Sequence, residues 1–350
     1  MKSRLDSGLQ IVLLLFFLFW SGGLLWAVEP GDSTAHGTNI FSPASTPAKQ
    51  IADLSVFVLS ITGIIFLVVF ALLLYSVIRF GGRAMDAGRE PAQVYGSTQI
   101  ELAWTIIPTL IVVVLFLATA RVIHAIQDAP EPAGALDVIA IGHQYWWEFR
   151  YPKLGIVTAN ELHIPVSDLS HPTPTFLQLL SADTNHSFWV PELAGKTDLI
   201  PNHPNRTWMD PQRTGIFLGQ CAQYCGTQHA KMLLRVSVDR PEDFASWARA
   251  QQKPAVEDAG AIAGRRVFEH NACMNCHAVA GTPADGRFGP DLTHLMSRAT
   301  LAAGAAKNTH DNLRLWIQDP SAIKPGSLMP AMKLSDADLD AVVSYMETLH

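Results

Sequence analysis

Two long stretches without a charged residue limit what this chain can fold into. Residues 54–78 and 102–120 carry no charge, and each is about as long as the roughly 20 apolar residues that cross a bilayer as a helix. A helical hairpin buried inside a soluble protein is the alternative interpretation. We expect a transmembrane hairpin over residues 51–127, with spans at about 54–78 and 102–120 and a cytoplasmic loop at 79–101.

A third uncharged stretch, residues 7–28, lies at the start of the chain behind Lys2 and Arg4. A basic start, an apolar run and a small residue are typical of a secretory signal peptide, and an uncleaved anchor helix is the alternative. We interpret residues 1–28 as a signal peptide or an N-terminal anchor helix. Residues 29–50 then form an extracytoplasmic segment.

The charges around the hairpin indicate its orientation. Arg79, Arg83 and Arg89 lie between the two spans. The segment 29–50 contains a single Lys or Arg, which is Lys49. Because cytoplasmic loops carry an excess of Lys and Arg, the loop is predicted to face the cytoplasm. The rest of the chain then lies outside, on the periplasmic face of a bacterial inner membrane.

The chain beyond the hairpin divides into a β-rich part and a helical part. Residues 128–240 contain short β-rich runs separated by Pro and Gly clusters, which indicates a sandwich or barrel. These runs are residues 136–141, 146–151, 176–180, 187–190, 215–218 and 232–238. A helix and a linker follow at 241–257, and a helical domain at 258–350.

All the cysteines of the chain lie in two metal-binding signatures. The first reads Cys221-x-x-x-Cys225-x-x-x-His229-x-x-Met232. Its thiolate, imidazole and thioether groups are soft ligands that suit copper. Because two cysteines can bridge two copper ions, we expect a dinuclear site with a second imidazole from another strand, for which His186 is the best candidate. Met232 and the backbone carbonyl of Gln223 would be weak ligands.

Two other interpretations of this cluster remain open at the level of sequence. Cys221 and Cys225 could form a disulfide in an oxidising compartment. Two cysteines and two histidines could also bind structural zinc. Neither interpretation uses Met232.

The second signature predicts a covalent haem. It reads Cys273-x-x-Cys276-His277, the attachment sequence for c-type haem. The thiols would form thioethers, and His277 would bind the iron. We expect Met329 as the other axial ligand, with Met332 as its competitor, and a carbonyl at Gly289-Pro290 to accept the ring N–H of His277. A porphyrin would fill a small domain that otherwise buries too little surface.

Longer segments resemble subunit II of a haem–copper cytochrome c oxidase, and the tail resembles a fused class I cytochrome c. The segments are Glu101-Leu-Ala-Trp104-Thr-Ile-Ile-Pro108, Gly142-His-Gln-Tyr-Trp-Trp147, Asn160-Glu-Leu-His-Ile-Pro165, His186-Ser-Phe-Trp-Val-Pro191, Gly195-Lys-Thr-Asp198 and the copper signature. The resemblance implies a multidomain membrane protein with a transmembrane α-helical hairpin, a cupredoxin-like β-barrel or sandwich domain, and an all-α class I cytochrome c domain. It implies as copper A ligands His186, Cys221, Gln223 through its carbonyl, Cys225, His229 and Met232.

The same resemblance implies a function. Electrons from cytochrome c and the fused haem c would pass through copper A to haem in subunit I, where oxygen is reduced and protons are pumped. Expected partners are subunit I with its haem and copper B, subunit III, cytochrome c and lipid. The predicted outer part is acidic, with seven basic and eleven acidic residues at 128–239, which would favour a basic cytochrome c, and no nucleic acid is expected. The alternatives are the copper A subunit of a nitric oxide reductase and a free-standing, membrane-tethered electron shuttle.

Three positions refine these expectations. Gln223 stands where many family members have a glutamate that also binds magnesium at the subunit I interface, which leaves that site doubtful. Tyr145 stands where a tryptophan often receives electrons, so electrons could enter through Trp146 or through the fused cytochrome. Glu101 matches a glutamate at the mouth of a proton pathway, with an ordinary interfacial charge as the alternative.

Overall fold

The computed structural model describes residues 35–36, 38–80, 93, 95–168, 172–255 and 258–350. The proposed signal peptide or anchor helix at 1–28 lies outside the described residues. So does most of the predicted cytoplasmic loop, together with Arg83 and Arg89.

Two helices are long and apolar enough to cross a membrane. Helix α1 spans Thr46–Phe80 and α2 spans Thr98–Gln127, with 35 and 30 residues. Their apolar windows are exposed in the described structure, which rules out the interpretation as the buried core of a soluble protein. Both helices are longer than the expected spans because their polar ends continue the helix on either side of the apolar run.

The ends of both helices that lie nearest the β domain are attached to one edge of that domain, at residues 208–210. Asp210 accepts hydrogen bonds from the Thr46 backbone N–H at 2.7 Å and from the Ser45 hydroxyl at 2.8 Å, which stabilises the start of α1. Two residues earlier, Trp208 Nε1 donates to the carbonyl of Ile126 near the end of α2 at 2.8 Å. The β domain therefore holds the two anchors at neighbouring positions.

Two packed sheets form the β domain. Its strands, after a two-residue strand β1 at Ala35–His36, are β2 Leu136–His143, β3 Trp146–Tyr151, β4 Ile156–Ala159, β5 Glu161–Pro165, β6 Thr175–Ser181, β7 His186–Trp189, β8 Thr197–Leu199, β9 Asn205–Met209, β10 Gly215–Cys221 and β11 Leu233–Asp239. One sheet has the order β4-β3-β2-β6-β9, and the other contains β5-β11-β10-β7-β8. Buried and partly buried positions alternate along β11, which places one face of that sheet in the core. Trp147, Phe149 and Phe188 fill the space between the sheets.

All six predicted β runs are strands, but the fold contains more strands than the sequence analysis identified. Strands β4 and β5 are short and are separated only by Asn160, whose φ of +64° is uncommon for a residue with a side chain. The Asn160 side chain accepts a hydrogen bond from the Trp147 N–H at 2.9 Å. The chain therefore changes from one sheet to the other within a single residue.

Helix α3, Pro241–Gln251, begins with proline at its first turn and packs against the β domain. Trp247 stacks on the His163 ring at 4.4 Å between centroids and contacts Tyr151 edge-on at 5.4 Å. This helix was predicted as part of a connecting segment, and in the structure it packs against the core of the β domain.

The C-terminal domain is helical, as expected. Its helices are α4 Ile262–His270, α5 His310–Gln318, α6 Pro320–Ile323 and α7 Asp336–Met346. Two short strands, β12 Thr300–Leu301 and β13 Ala306–Lys307, pair antiparallel and are an addition to the all-α expectation. Helices α4 and α7 cross closely, and the Phe268 and Tyr345 rings meet at 5.7 Å.

Candidate metal and haem centres

The predicted copper ligands converge from two neighbouring strands and the loop between β10 and β11. Residues 221–232 are called the copper loop below. Cys221 Sγ lies 3.9 Å from Cys225 Sγ and 3.9 Å from His186 Nδ1. Cys225 Sγ lies 3.8 Å from His229 Nδ1 and 3.8 Å from Met232 Sδ. His186 reaches the loop because its strand pairs with β10, where Phe188 lies opposite Cys221.

The donor set distinguishes between the interpretations of this cluster. Both cysteines are free, and their sulfurs are much farther apart than the roughly 2.05 Å of a disulfide. The carbonyl oxygen of Gln223 lies 3.1 Å from Cys221 Sγ, so four further donor groups surround the two sulfurs and the cluster has six donor groups in all. That number exceeds the four ligands of a structural zinc ion. The residues present fit a dinuclear copper centre.

The surroundings of His186 fix the orientation of its ring. Its Nε2 donates to Asp183 Oδ1 at 2.7 Å, which directs Nδ1 towards the sulfurs. A Cβ atom on Gly142 would lie 2.8 Å from the same ring, so the backbone of β2 packs directly against His186. The hydrogen bond from the Cys225 thiol lowers the pKa of the Cys221 thiol. The pair therefore releases its first proton readily, as a metal-binding thiol must.

The haem signature lines a cavity of about 330 Å³ in the C-terminal domain. Cys273, Cys276, His277 and Met329 all contribute to its wall, and so does the competing Met332. His277 Nδ1 donates to the Pro290 carbonyl at 2.7 Å, as the sequence predicted. Burial lowers the pKa of His277, which favours the neutral ring with a free lone pair on Nε2.

Two further features of the cavity fit a haem. A Cβ atom on Gly289 would lie 2.6 Å from the His277 ring, so this position has no space for a side chain. Arg298 is 7% exposed and lines the cavity, and its Nε has no hydrogen-bond partner among the described residues. Its Nη2 donates to the Asp291 carbonyl at 2.5 Å, so only the Nε–H is left both buried and without a partner among these residues. A buried N–H of a charged group is costly to leave unpaired unless an acceptor group joins it. The carboxylates of a haem provide such a group.

The turn with Tyr145 and Trp146 contacts both centres. Both residues line the haem cavity. Tyr145 Oη accepts a hydrogen bond from the Thr227 N–H of the copper loop at 3.1 Å. The neighbouring Gln144 donates from Nε2 to the Cys225 carbonyl at 2.6 Å. The sequence analysis singled out these aromatic residues but did not place them between the two sites.

Glu101, the remaining predicted site residue, lies in the first turn of α2 and is exposed. It is therefore at the opposite end of that helix from Ile126 and the β domain. The structure does not bring it near either centre.

Sequence reasoning missed the contacts between the β domain and the helical domain. The Glu161 carboxylate accepts hydrogen bonds from the backbone N–H groups of Ala299 and Thr300 at 3.0 and 2.9 Å. Lys324 Nζ donates to the Tyr145 carbonyl at 2.7 Å. Glu161 lies in the quoted segment 160–165 and Lys324 lies five residues before the predicted ligand Met329. Nothing in the spacing of either residue indicates burial.

Comparisons with known proteins agree with this architecture. The family model for the transmembrane domain of cytochrome c oxidase subunit II matches residues 33–122, that for its periplasmic domain matches 172–238, and that for cytochrome c matches 261–350. A cytochrome c oxidase subunit 2 from Alkalihalophilus pseudofirmus is 32% identical over 314 residues, which cover 88% of this chain and 89% of the relative. One from Bacillus subtilis is 30% identical over 355 residues, covering 94% and 98%. The solved periplasmic domain of cytochrome oxidase subunit II from Bradyrhizobium japonicum is 29% identical and covers 35% of this chain and 96% of that domain, with a TM-score of 0.32.

Proposed function

The chain belongs to the cytochrome c oxidase subunit II family and ends in a cytochrome c domain, and from this we propose that it is the subunit through which electrons enter a membrane oxygen reductase. When bound, the haem and the copper pair supply one-electron transfer, from cytochrome c through the fused haem c and copper A to haem in subunit I. Oxygen reduction coupled to proton pumping takes place on that other subunit. The residues of this chain hold and orient the two redox groups.

The observation that carries this proposal is the position of the Tyr145–Trp146 turn. It lines the cavity of the haem signature and is hydrogen-bonded to the copper loop at Thr227. A shuttle that carried electrons between separate partners would not need both sites on one turn. We therefore assign to Tyr145 and Trp146 the contact across which electrons enter the copper domain.

Each predicted ligand has a role in the proposal. The copper pair is held by His186, Cys221, Cys225, His229, Met232 and the backbone carbonyl of Gln223. The haem is held by thioethers to Cys273 and Cys276 and by His277 and Met329 as axial ligands. A magnesium site at the subunit I interface would lack its usual carboxylate, because Gln223 offers an amide side chain there.

The membrane helices suit a position beside subunit I, with its haem and copper B, and subunit III. We place α1 and α2 in a bacterial inner membrane, with both redox domains on its periplasmic side and cytochrome c as the external donor. Glu101 would then lie at the cytoplasmic side, where we propose that it forms the entrance of a proton pathway. Replacing Glu101 by Ala should slow turnover while the copper A spectrum remains unchanged, and unchanged turnover would refute this role.

The decisive experiment is purification of the native complex followed by assays of oxygen and nitric oxide consumption with reduced cytochrome c. We expect oxygen consumption, one haem c and a copper pair with a mixed-valence electron paramagnetic resonance spectrum per chain. Nitric oxide consumption without oxygen consumption would identify a nitric oxide reductase subunit. Isolation without any catalytic partner would instead identify a free-standing electron shuttle.

A further inference from the structure

One loop of the helical domain lies directly on the copper loop. Residues 323–329, called the methionine loop here, end in the proposed haem ligand Met329. Ile323 accepts a hydrogen bond at its carbonyl from Lys231 Nζ at 2.7 Å. The Pro325 carbonyl accepts another from the Gln228 side chain. Both donors belong to the copper loop, so the segments that carry ligands of the two centres contact each other.

Between these two contacts, Lys324 turns into the interior. It is 3% exposed, and its Nζ donates to the Tyr145 carbonyl at 2.7 Å and to the Ala302 carbonyl at 3.1 Å. Tyr145 belongs to the β domain and Ala302 to the helical domain. One amino group therefore connects the backbones of both domains.

The turn that supplies one of these carbonyls has an unusual backbone. Ala302 and Ala303 have φ of +53° and +58°, a conformation that is unfavourable for residues with a side chain. It directs the Ala302 carbonyl to Lys324 and the Ala303 carbonyl to the Leu233 N–H of the β domain at 3.1 Å. Two consecutive carbonyls are thus used for contacts around the domain boundary.

We propose that Lys324 is a positioning residue that clamps the methionine loop to the Tyr145 turn and thereby fixes the haem site relative to the copper site. The proposal rests on the function proposed above. Tyr145 transmits the constraint, since its carbonyl is held by Lys324 and its hydroxyl by the Thr227 N–H of the copper loop.

The chemistry of Lys324 supports a specific use of its amino group. An apolar side chain of similar length would fill the same space without the cost of burying an amine. That cost is visible here, since burial lowers the pKa of Lys324 to about 7. Both of its hydrogen-bond acceptors are neutral backbone carbonyls, so what the amine contributes is the connection between them.

The test compares Lys324→Met with Lys307→Met, a matched change of an exposed lysine in the same domain, in the assembled oxidase. Residue-resolved hydrogen exchange follows the N–H groups of Leu233 and Thr227, which pair with Ala303 and Tyr145. For K324M we expect exchange at both groups to rise about tenfold or more, because both hydrogen bonds of the amino group are lost. K307M should match the wild type.

Two spectroscopic readouts complete the test. With unchanged haem and copper contents, K324M should broaden the distance distribution between ferric haem c and copper A in pulsed dipolar spectra. It should also slow electron transfer from photoreduced haem c to copper A. Lys324→Gln keeps an N–H donor on a shorter side chain and should give an exchange rate between those of the wild type and K324M. This variant replaces K324M in the test if K324M does not assemble.

The outcomes separate the clamp from the function on which it rests. Exchange and distance distributions identical in K324M and K307M would overturn the clamp, even with rapid transfer in the wild type. Absence of haem-to-copper transfer in the wild type would overturn the proposed function. In that case hydrogen exchange alone would still decide whether Lys324 holds the domains together.

Discussion

The copper site lies in a β sandwich whose core closes around its ligands, whereas the haem site lines a cavity between the small helical domain and the Tyr145–Trp146 turn. The Cys221, Cys225 and Met232 side chains pack in one cluster with the aromatic core of the sandwich. In the helical domain, Cys273 and Met329 are only partly buried and face a cavity of about 330 Å³. The copper site is therefore built by protein packing, and the helical domain needs its cofactor to complete its core.

The largest effect should come from removing both thioether cysteines, Cys273→Ala with Cys276→Ala. We expect complete loss of covalent haem and loss of the cooperative unfolding transition of the helical domain, because its centre would remain hollow. The β domain should keep its own transition and its copper. Haem staining of denatured protein and scanning calorimetry measure both effects. A helical domain that unfolds cooperatively without haem would remove the contrast between the two sites.

The corresponding change at the copper site should leave the fold in place. Under the proposed function, Cys221→Ser should abolish the near-infrared band and the mixed-valence spectrum, because a hydroxyl is a much harder ligand for copper than a thiolate. The β domain should lose only about 1–3 kcal/mol of its unfolding free energy, the cost of a buried hydroxyl without a strong partner. Circular dichroism during denaturant titration measures this change. A Cys221→Ser domain that does not fold would show that this site too depends on its metal.

A matched pair of glycine substitutions tests how tightly each site holds its histidine. A Cβ would lie 2.6 Å from the His277 ring in Gly289→Ala and 2.8 Å from the His186 ring in Gly142→Ala. Each ring must move, at a cost of about 1–3 kcal/mol for overpacking. We expect a shifted haem reduction potential in G289A and weaker copper binding in G142A. Potentiometric titration and competition with a copper chelator measure these changes, and unchanged values would mean that the rings are free to move.

The smallest effect should be a pH dependence of the contact between the domains. Lys324 has a pKa of about 7 when buried, below its ordinary 10.5, while Lys231 disfavours its charge and Cys225 favours it. In the closed state the two domains are in contact and Lys324 is buried, and in the opened state Lys324 is exposed. Between about pH 7 and 10.5 the opened state binds a proton that the closed state lacks. The contact between the domains should therefore strengthen as pH rises from about 7 towards 10.5. The slope is at most about 1.4 kcal/mol per pH unit. Hydrogen exchange of the Leu233 N–H at a series of pH values, corrected for its intrinsic rate, measures this slope. K324M should show no such slope.

Most of what the sequence predicts about the two sites comes from the spacing of residues that are neighbours in the chain. Cys273, Cys276 and His277 are neighbours in the chain, so their common position on the cavity wall follows from the signature itself. His186 is 35 residues from Cys221 and is predicted as the imidazole from another strand, and the structure places its Nδ1 3.9 Å from that sulfur. Its role as a ligand stays a prediction, but its position agrees with that role.

Contacts between distant parts of the chain could not be predicted in this way. Lys324 and Tyr145 are 179 residues apart, and no periodic pattern relates them. Strand β5 pairs in parallel with β11, so its place depends on a long connection rather than on a local turn. The use of Asn160 to change sheets also depends on its contact with Trp147, which exists only after the sheets have formed.

The attachment of both membrane helices to residues 208–210 has a mechanical consequence. Trp208 and Asp210 hold the ends of α2 and α1 two residues apart on the same edge of the β domain. The β domain is therefore held at two points rather than one, which restrains its rotation relative to the pair of helices. A protein that packs beside α1 and α2 would therefore always meet the copper loop in the same position and orientation relative to those helices.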